Sequence, residues 1–344
     1  MAKKYVTIFF HSADADGWSS AALLDHYLSR NLIDIGTFDK DDDIVVKCKF
    51  WNYGFIYRKP AAPEDLVILA DIHFPEDQMN ELLDFVGDGN VLVLDHHESA
   101  FEMLDGMKDR LHPLSVYTED QAACMHSYDL VTNHLRSNVS IAEKNRIENL
   151  NILYHLFNWW DSYTFKELDG SNGIYPIDII YLNYYMNNVG AEYFTPNGAM
   201  FWADIFDKAC DQHTLYKEIN EMMKVGEILY RSYQKQNCTL LQSYSFDVEF
   251  EGYEMLCINH PPGQASAFFE EWKDKNKYDL VCNFYFTKKN EYAFSIYSLK
   301  DDIDLTPVWA KYDKIRSGGH KGAGSIRCKD FTYDRNTRSI TMSF

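Results

Sequence analysis

The sequence has few cysteines that could pair and no long apolar run. Its seven cysteines, an odd number among 344 residues, lie far apart, and no Cys-x-x-Cys occurs. This excludes a disulfide framework or a zinc ribbon as the organising feature. No stretch approaches about 18 apolar residues, and the run after the first lysines is too short for a secretory signal. We therefore expect a cytoplasmic protein that does not associate with membranes.

Positive charge is also scarce. The sequence has 33 Lys and Arg against 52 Asp and Glu, a net charge of −19. Such a chain is not expected to coat long nucleic acids, because phosphate binding depends on clustered Lys and Arg. The charge is uneven, however. Residues 305–344 contain eight Lys or Arg and three Asp, a net charge of +5, so the remainder carries −24.

Apolar and aromatic residues are plentiful, at 46% and 15% of the sequence, so packed cores are expected. The length suggests about two domains. In the first part, strand-like runs alternate with segments of helical spacing. The predicted strands are 5–10, 44–50, 66–71 and 91–95, and the predicted helices are 17–30 and 75–86. This alternation predicts an α/β fold with a parallel sheet covered by helices on both faces.

The pattern then becomes helical and returns to strands near the C-terminus. The predicted helices are 141–159, 176–186, 198–209 and 214–241. They are followed by predicted strands at 246–250, 253–259, 280–286, 293–297, 325–328 and 339–344, with a helix at 264–275. We therefore divide the chain into an N-terminal domain (1–165), a helical connector (166–240) and a smaller C-terminal α/β domain with a mixed sheet (241–344).

Acidic and histidine residues gather directly after three predicted strands. The three clusters are His11-Ser-Ala-Asp14-Ala-Asp16-Gly17, Asp71-Ile-His73 and Asp95-His96-His97-Glu98. In a parallel sheet, ligands bind beyond the carboxyl ends of the strands, so the clusters should meet in one crevice. Taken alone, Asp71 could merely cap the helix that follows, and a lone histidine is usually a packed residue. Three such clusters at three strand ends favour a functional site.

Divalent cations would explain so many carboxylates in one place. Bare carboxylates would repel each other, and some would have to stay protonated. Two divalent ions bring enough charge to balance about four Asp ligands, and mixed Asp and His ligands suit Mn²⁺, Fe²⁺ or Zn²⁺. Two ions about 3.5–4 Å apart form the usual clamp for water attack on phosphorus. The sequence thus favours a two-metal phosphoesterase site.

The motifs resemble those of the DHH phosphoesterase superfamily, which is named for Asp-His-His. That triplet stands here as Asp95-His96-His97, and the segments 11–17 and 70–71 resemble the first two motifs. Trp160-Asp161-Ser162-Tyr163 resembles the fourth motif. Ser317-Gly318-Gly319-His320-Lys321-Gly322-Ala323-Gly324 is similar to the glycine-rich signature of the DHH-associated C-terminal domain. The resemblance extends over nearly the whole chain except roughly residues 165–240.

This resemblance implies a role for each motif residue. One metal ion would be held by His11, Asp14 and Asp71, and a second by Asp16, Asp71, His96 and Asp161, with Asp71 shared. Asp95 would orient an imidazole, since a ligating histidine usually needs such a partner. His97 would donate to the scissile phosphate. The resemblance implies two divalent ions, with Mn²⁺ expected and Mg²⁺ or Co²⁺ as alternatives.

The C-terminal signature would bind substrate phosphate. The expected residues are Arg316, Gly318, Gly319, His320, Lys321 and Tyr297, with His320 also placed among the catalytic residues. Glycines let backbone amides approach an anion closely, although a glycine-rich turn between two elements would look the same in sequence. Two residues depart from the family pattern: Ser317 replaces a glycine, and Tyr297 stands where many members have arginine. A tyrosine there could stack on a base.

Within the superfamily, the pattern most resembles the nanoRNase B type. The expected activity is hydrolysis of very short oligonucleotides, such as nanoRNA and linear dinucleotides, to nucleoside monophosphates by metal-activated water. The expected partners are short single-stranded RNA or DNA, and a homodimer is possible. Three alternatives stay open: a 3′-phosphoadenosine phosphate phosphatase, a cyclic-dinucleotide phosphodiesterase, and a catalytically inactive nucleotide-binding regulatory module.

Overall fold

The computed structural model describes residues 2–52, 62, 64–171, 173–260, 275–300, 302–312, 317–319 and 321–344. The chain divides into two compact units, Met1–Leu229 and Tyr230–Phe344. Residues 166–229 of the expected helical connector are thus part of the first unit.

The first unit is built on a five-stranded parallel sheet. Its strands are β1 (Lys3–His11), β2 (Asp43–Trp51), β3 (Leu66–Ala70), β4 (Val91–Asp95) and β5 (Val116–Tyr117). They lie in the order β2-β1-β3-β4-β5, and each neighbouring pair is parallel. Every residue of β3 and β4 is buried, as expected of central strands covered on both faces.

Helices cover both faces of this sheet. One face carries α2 (Glu76–Val86), whose Met79, Leu82 and Leu83 pack with Val67 and Val93 of the strands. The other face carries α1 (Ala15–Leu28), which packs on β1, and α4 (Ala123–Asn133), which packs on β3 and β4. The short α3 (Phe101–Gly106) follows β4. Burying one large aliphatic side chain contributes about 1.5–3 kcal/mol, so these two layers supply much of the stability of the unit.

Four further helices follow. They are α5 (Ile141–Asp161), α6 (Pro176–Met186), α7 (Pro196–Lys208) and α8 (Gln212–Tyr244). Aromatic side chains form much of the packing among them, and Phe157, Tyr184 and Trp202 are buried. Among the residues described, no helix combines the length and apolar character needed to cross a bilayer.

The second unit contains an eight-stranded mixed sheet. Its strands are β6 (Ser245–Phe250), β7 (Tyr253–Asn259), β8 (Leu280–Phe286), β9 (Tyr292–Ser298), β10 (Ser317–Gly319), β11 (Ala323–Cys328), β12 (Asp330–Asp334) and β13 (Ser339–Ser343). The order is β10-β11-β9-β8-β7-β6-β13-β12. The pairs β7–β8 and β6–β13 are parallel and the others antiparallel. A short helix, α9 (Thr306–Trp309), precedes β10.

The predicted fold class is confirmed. The structure has the expected α/β fold with a parallel N-terminal sheet and a mixed C-terminal sheet. The sequence analysis missed the helices α3, α4 and α9 and the strands β5, β10 and β12. The predicted helix at 264–275 falls, up to residue 274, outside the described residues.

Candidate metal centre

Three strands deliver their clusters to one edge of the first sheet. β1 ends at His11, Asp71 follows the last residue of β3, and β4 ends at Asp95. The register places Phe10 beside Ala70 and Ala70 beside Leu94, so the three strand ends are level. The expected convergence of the clusters follows from this parallel, in-register arrangement.

The turn into α1 places two more carboxylates at this edge. Asp14 is the N-cap residue of α1, and its side chain accepts a hydrogen bond from the amide of Gly17 at 3.3 Å. Asp16 lies in the first turn and is buried. Gly17 is required by close packing, because a Cβ atom there would lie only 2.2 Å from the carbonyl oxygen of His11.

His11, Asp14 and Asp71 form a first potential ligand group. The Nδ1 atom of His11 lies 3.1 Å from Oδ2 of Asp14 and 3.2 Å from Oδ2 of Asp71. Its other ring nitrogen, Nε2, lies 3.3 Å from Oδ1 of Asn52. One donor atom from each of the three residues lies within 4.8 Å of the other two, close enough to share one cation.

Asp16, His96 and Asp161 form a second group. The Nε2 atom of His96 lies 2.9 Å from Oδ2 of Asp161 and 3.7 Å from Oδ2 of Asp16. It also lies 3.3 Å from Oδ1 of Asp71. The two oxygens of Asp71 therefore face different groups: Oδ2 faces His11, and Oδ1 faces His96. Asp71 therefore lies between the two groups.

The backbone of Asp71 leaves the strand direction at this point. Its φ angle is +60°, in the left-handed region that non-glycine residues rarely adopt. Asp and Asn are the side chains that tolerate this conformation best. The amide of Asp71 nevertheless keeps a hydrogen bond to the carbonyl of Leu94 at 2.8 Å, which ties the turn to β4.

Asp95 orients His97 and lies behind the two groups. It is fully buried, and its Oδ1 accepts from the backbone amide of His96 at 2.9 Å and pairs with Nδ1 of His97 at 2.7 Å. Burial would lower the pKa of His97, but the bond to Asp95 raises it above the usual value. A third potential ligand group, Asp71 with His96 and His97, overlaps the other two.

The pKa values of Asp16, Asp161 and His96 are shifted by burial and by one another. Burial and the charge of Asp71 raise the pKa of Asp16 to about 8, and burial and the charge of Asp16 raise that of Asp161 to about 6. Burial would lower the pKa of His96, but its bonds to Asp161 and Asp71 raise it to about 12. The carboxylates thus need positive charge to ionise together, and divalent cations would provide it.

These residues fit divalent cations. The donors are carboxylate oxygens and imidazole nitrogens, which hold Mn²⁺ and similar ions. The six expected metal-binding residues, His11, Asp14, Asp16, Asp71, His96 and Asp161, all lie in the two main groups. The number and identity of the ions stay predictions.

Sequence reasoning missed the support of Asp16. The backbone amides of Ala123 and Cys124, at the start of α4, donate to its two carboxylate oxygens at 3.1 and 2.6 Å. The amide of the preceding residue, Ala122, donates to Oδ1 of Asn158 at 2.7 Å. Neither interaction has a local sequence signal, because the partners are far apart along the chain.

Four of the expected substrate residues, Tyr297, Gly318, Gly319 and Lys321, lie on or beside three adjacent strands of the second unit. Tyr297 is half-buried on β9 and pairs with Ala323 of β11. Gly318 and Gly319 form part of β10, which pairs antiparallel with β11. The structure thus places these two glycines in a hairpin strand. The exposed Lys321 follows it, whereas Arg316 and His320 lie outside the described residues.

No family model and no curated protein sequence matches the chain. Solved structures do. The DHH domain of a protein from a ribosomal-protein family aligns over 94% of this chain and 82% of its own, at 12% identity and a TM-score of 0.51. The chain has the fold of a DHH domain followed by a C-terminal domain.

Two other solved structures align at lower scores. A pGpG-specific phosphodiesterase from Vibrio cholerae aligns over 94% of this chain and 92% of its own, at 14% identity and a TM-score of 0.44. An uncharacterised Helicobacter pylori protein aligns over 98% and 96%, at 13% identity and a TM-score of 0.41. The DHH fold expected from the motifs thus rests on the first likeness and on the geometry of the strand ends.

Proposed function

We propose that this protein is a metal-dependent phosphoesterase that hydrolyses very short oligonucleotides, including linear dinucleotides, to nucleoside monophosphates. The observation that carries this proposal is Asp71, whose two oxygens face two separate groups of His and Asp donors. A shared carboxylate between two cation sites is the arrangement of two-metal hydrolysis of phosphate esters.

The residues that would hold the ions are those of the two groups. His11, Asp14 and Asp71 would hold one ion, and Asp16, Asp71, His96 and Asp161 the other. We propose Mn²⁺ because the donors are mixed nitrogen and oxygen, with Mg²⁺ and Co²⁺ as alternatives to be tested. When bound, such ions lower the pKa of water and stabilise charge on phosphate oxygens.

His97 would contact the reacting phosphate. Asp95 engages its Nδ1 atom, so we assign the other ring nitrogen, Nε2, to donate to a non-bridging phosphate oxygen. The raised pKa of His97 favours the imidazolium, which can donate from both nitrogens. Asp95 keeps the ring in one orientation, as the buried carboxylate partner of a functional histidine does elsewhere.

The second unit would bind substrate phosphate. The proposed residues are Tyr297, Gly318, Gly319 and Lys321, together with Arg316 and His320. The segment 305–344 carries a net charge of +5 within a chain of −19. A basic segment of this size can neutralise a few phosphates, whereas a long strand would need an extended basic track.

The test is hydrolysis of a substrate panel by the wild type and by Asp71→Asn. Asparagine tolerates the backbone angle of residue 71, so this variant changes the charge with little strain. We expect Mn²⁺-dependent release of mononucleotides from pApA and a five-nucleotide RNA, and a loss of about a hundredfold or more in Asp71→Asn. Asp84→Asn, at a side chain that is 73% exposed, is the matched control.

Products separate this function from its alternatives. Release of inorganic phosphate from 3′-phosphoadenosine phosphate alone would identify a phosphomonoesterase, and cleavage of cyclic dinucleotides alone a cyclic-dinucleotide phosphodiesterase. Binding of nucleotides without turnover in Mn²⁺, Co²⁺ or Mg²⁺ would identify a regulatory module. Faster single-turnover cleavage of a 24-mer than of a dinucleotide would contradict the preference for short substrates.

A further inference from the structure

Helix α4 begins without a capping side chain of its own. Its N-cap residue is Ala122, which has an extended backbone and no side-chain oxygen. Helices need such an oxygen, or a substitute, because their first amides have no partner within the helix. Here the substitutes come from two distant elements of the same unit.

Asp16 supplies the first substitute. Its Oδ2 accepts from the amide of Ala123 and its Oδ1 from that of Cys124, so both carboxylate oxygens are directed by α4. Oδ2 is also the oxygen that lies 3.7 Å from Nε2 of His96. The position of the α4 terminus therefore sets which way Asp16 presents its carboxylate to the second ligand group.

Asn158 supplies the other substitute. It lies on α5, is 8% exposed, and its Oδ1 accepts from the buried amide of Ala122 at 2.7 Å. That amide precedes the two that bind Asp16. Asn158 also lies three residues before Asp161, so the two side chains are neighbours on the helix. Asn158 and Asp16 thus accept hydrogen bonds from successive amides at the start of α4, and Asn158 shares its helix with Asp161.

We propose that Asn158 is a positioning residue for the cation site formed by Asp16, His96 and Asp161. It fixes the start of α4, which in turn fixes the carboxylate of Asp16 relative to the other two donors. The role suits asparagine, whose side-chain oxygen accepts the hydrogen bond from the amide of Ala122. This inference rests on the proposed metal centre.

The test is a Mn²⁺ titration of the full chain. Binding is measured from the electron paramagnetic resonance signal of the free ion and by calorimetry. Asn158→Leu removes the acceptor. We expect it to weaken one of two Mn²⁺ sites about tenfold or more, the usual effect of losing a residue that orients a ligand, and to leave the other site within about twofold.

Asn183→Leu is the matched control. Asn183 is 6% exposed on α6, lines a small cavity beside Asp16 and Asp161, and pairs with Asn187 of the turn that ends its own helix. We expect this variant to retain both Mn²⁺ affinities even if its thermal midpoint falls. Asn158→Asp keeps an acceptor oxygen and should retain at least about a third of the wild-type affinity for Mn²⁺.

The outcomes separate the two proposals. If the wild type binds no Mn²⁺, the metal centre itself is wrong and this inference falls with it. If the wild type binds but Asn158→Leu binds equally well at both sites, only the positioning role is overturned. Equal weakening of both sites, or an Asn158→Asp variant as weak as the leucine variant, also overturns it. Should Asn158→Leu not fold, Asn158→Ala replaces it with the same expected split.

Discussion

Gly17 and Asp71 each occupy a position that few residues can fill. The first turn of α1 passes so close to the end of β1 that a Cβ atom on residue 17 would overlap the carbonyl of His11. Asp71 has a left-handed backbone that brings its carboxylate between the two ligand groups. At the scale of single residues, backbone sterics and metal-ligand chemistry therefore restrict the same short segments.

Gly17→Ala is expected to destabilise the protein although alanine favours helices. The helix propensity of alanine contributes up to about 1 kcal/mol, but overpacking against backbone typically costs about 1–3 kcal/mol. We expect a net loss of about 1–2 kcal/mol in the free energy of unfolding, measured by urea denaturation. Gly106→Ala is the control, because nothing lies within 4 Å of a Cβ atom there. A Gly17→Ala variant as stable as this control would show that the segment can shift.

The metal-binding candidates could be predicted because they follow buried strands. The strands β3 and β4 are short apolar runs, and the residues that follow them must lie at the carboxyl edge of the sheet. Asp161 is different: it ends a 21-residue helix, and only its resemblance to a family motif indicated it. Helical spacing alone does not say which residue of the last turn meets a distant sheet edge.

At the scale of elements, helix α4 shows why some elements could not be predicted from the sequence. Its first residues, Ala122 and Ala123, carry no capping signal, because the groups that satisfy its amides lie on α1 and α5. The partner of Ala123 is 107 residues away in sequence. Strand β5 has only two residues, too few for a pattern. Local sequence signals predict a helix that caps its own first amides, which α4 does not do, and a strand long enough to show a pattern, which β5 is not.

Another contact between elements should make stability depend on pH. His26, in the last turn of α1, packs against Phe206 of α7 at a centroid distance of 4.5 Å, and its side chain is 10% exposed. Burial and the nearby charge of Arg30 lower its pKa to about 4, although Glu143 opposes this. The unfolded chain takes up this proton near pH 6.5, so folding stability should fall as the pH drops from about 6.5 to 4.

His26→Gln should remove this part of the pH dependence. Glutamine is neutral throughout, so the wild type alone should lose stability at low pH. The difference in unfolding free energy between wild type and variant should change by roughly 3 kcal/mol between pH 7 and pH 4. Chemical denaturation of both proteins in chelator at each pH measures it. Parallel stability curves for the two proteins would contradict the assignment of a neutral, buried His26.

At the scale of the whole molecule, the net charge of −19 has two components with different meanings. Four of the acidic residues, Asp14, Asp16, Asp71 and Asp161, lie in the candidate metal centre, where cations would balance them. The opposite excess, +5 in residues 305–344, lies in the second unit. The net charge of the whole chain therefore does not predict which ligands its two units bind; the local charge of each site does.

Mn²⁺ should stabilise the folded chain. A ligand that binds only the native state adds about 2.7 kcal/mol at a hundred times its dissociation constant. We expect the thermal midpoint to rise with Mn²⁺ and to fall again with chelator, and Asp71→Asn to lose most of the rise. KCl at equal ionic strength and the Asp84→Asn variant control for general screening of negative charge. An equal rise in Asp71→Asn and wild type would mean that the ions bind elsewhere.

The left-handed backbone at residue 71 also limits how this site can drift during evolution. Glutamate could replace aspartate as a ligand in chemical terms, but a φ of +60° favours glycine, Asn, Asp and His over other residues. A lineage that lost the metal would therefore be expected to carry Asn or Gly at this position, since those residues keep the turn. Such a replacement in a relative would indicate a chain that keeps the turn without the proposed metal ligand.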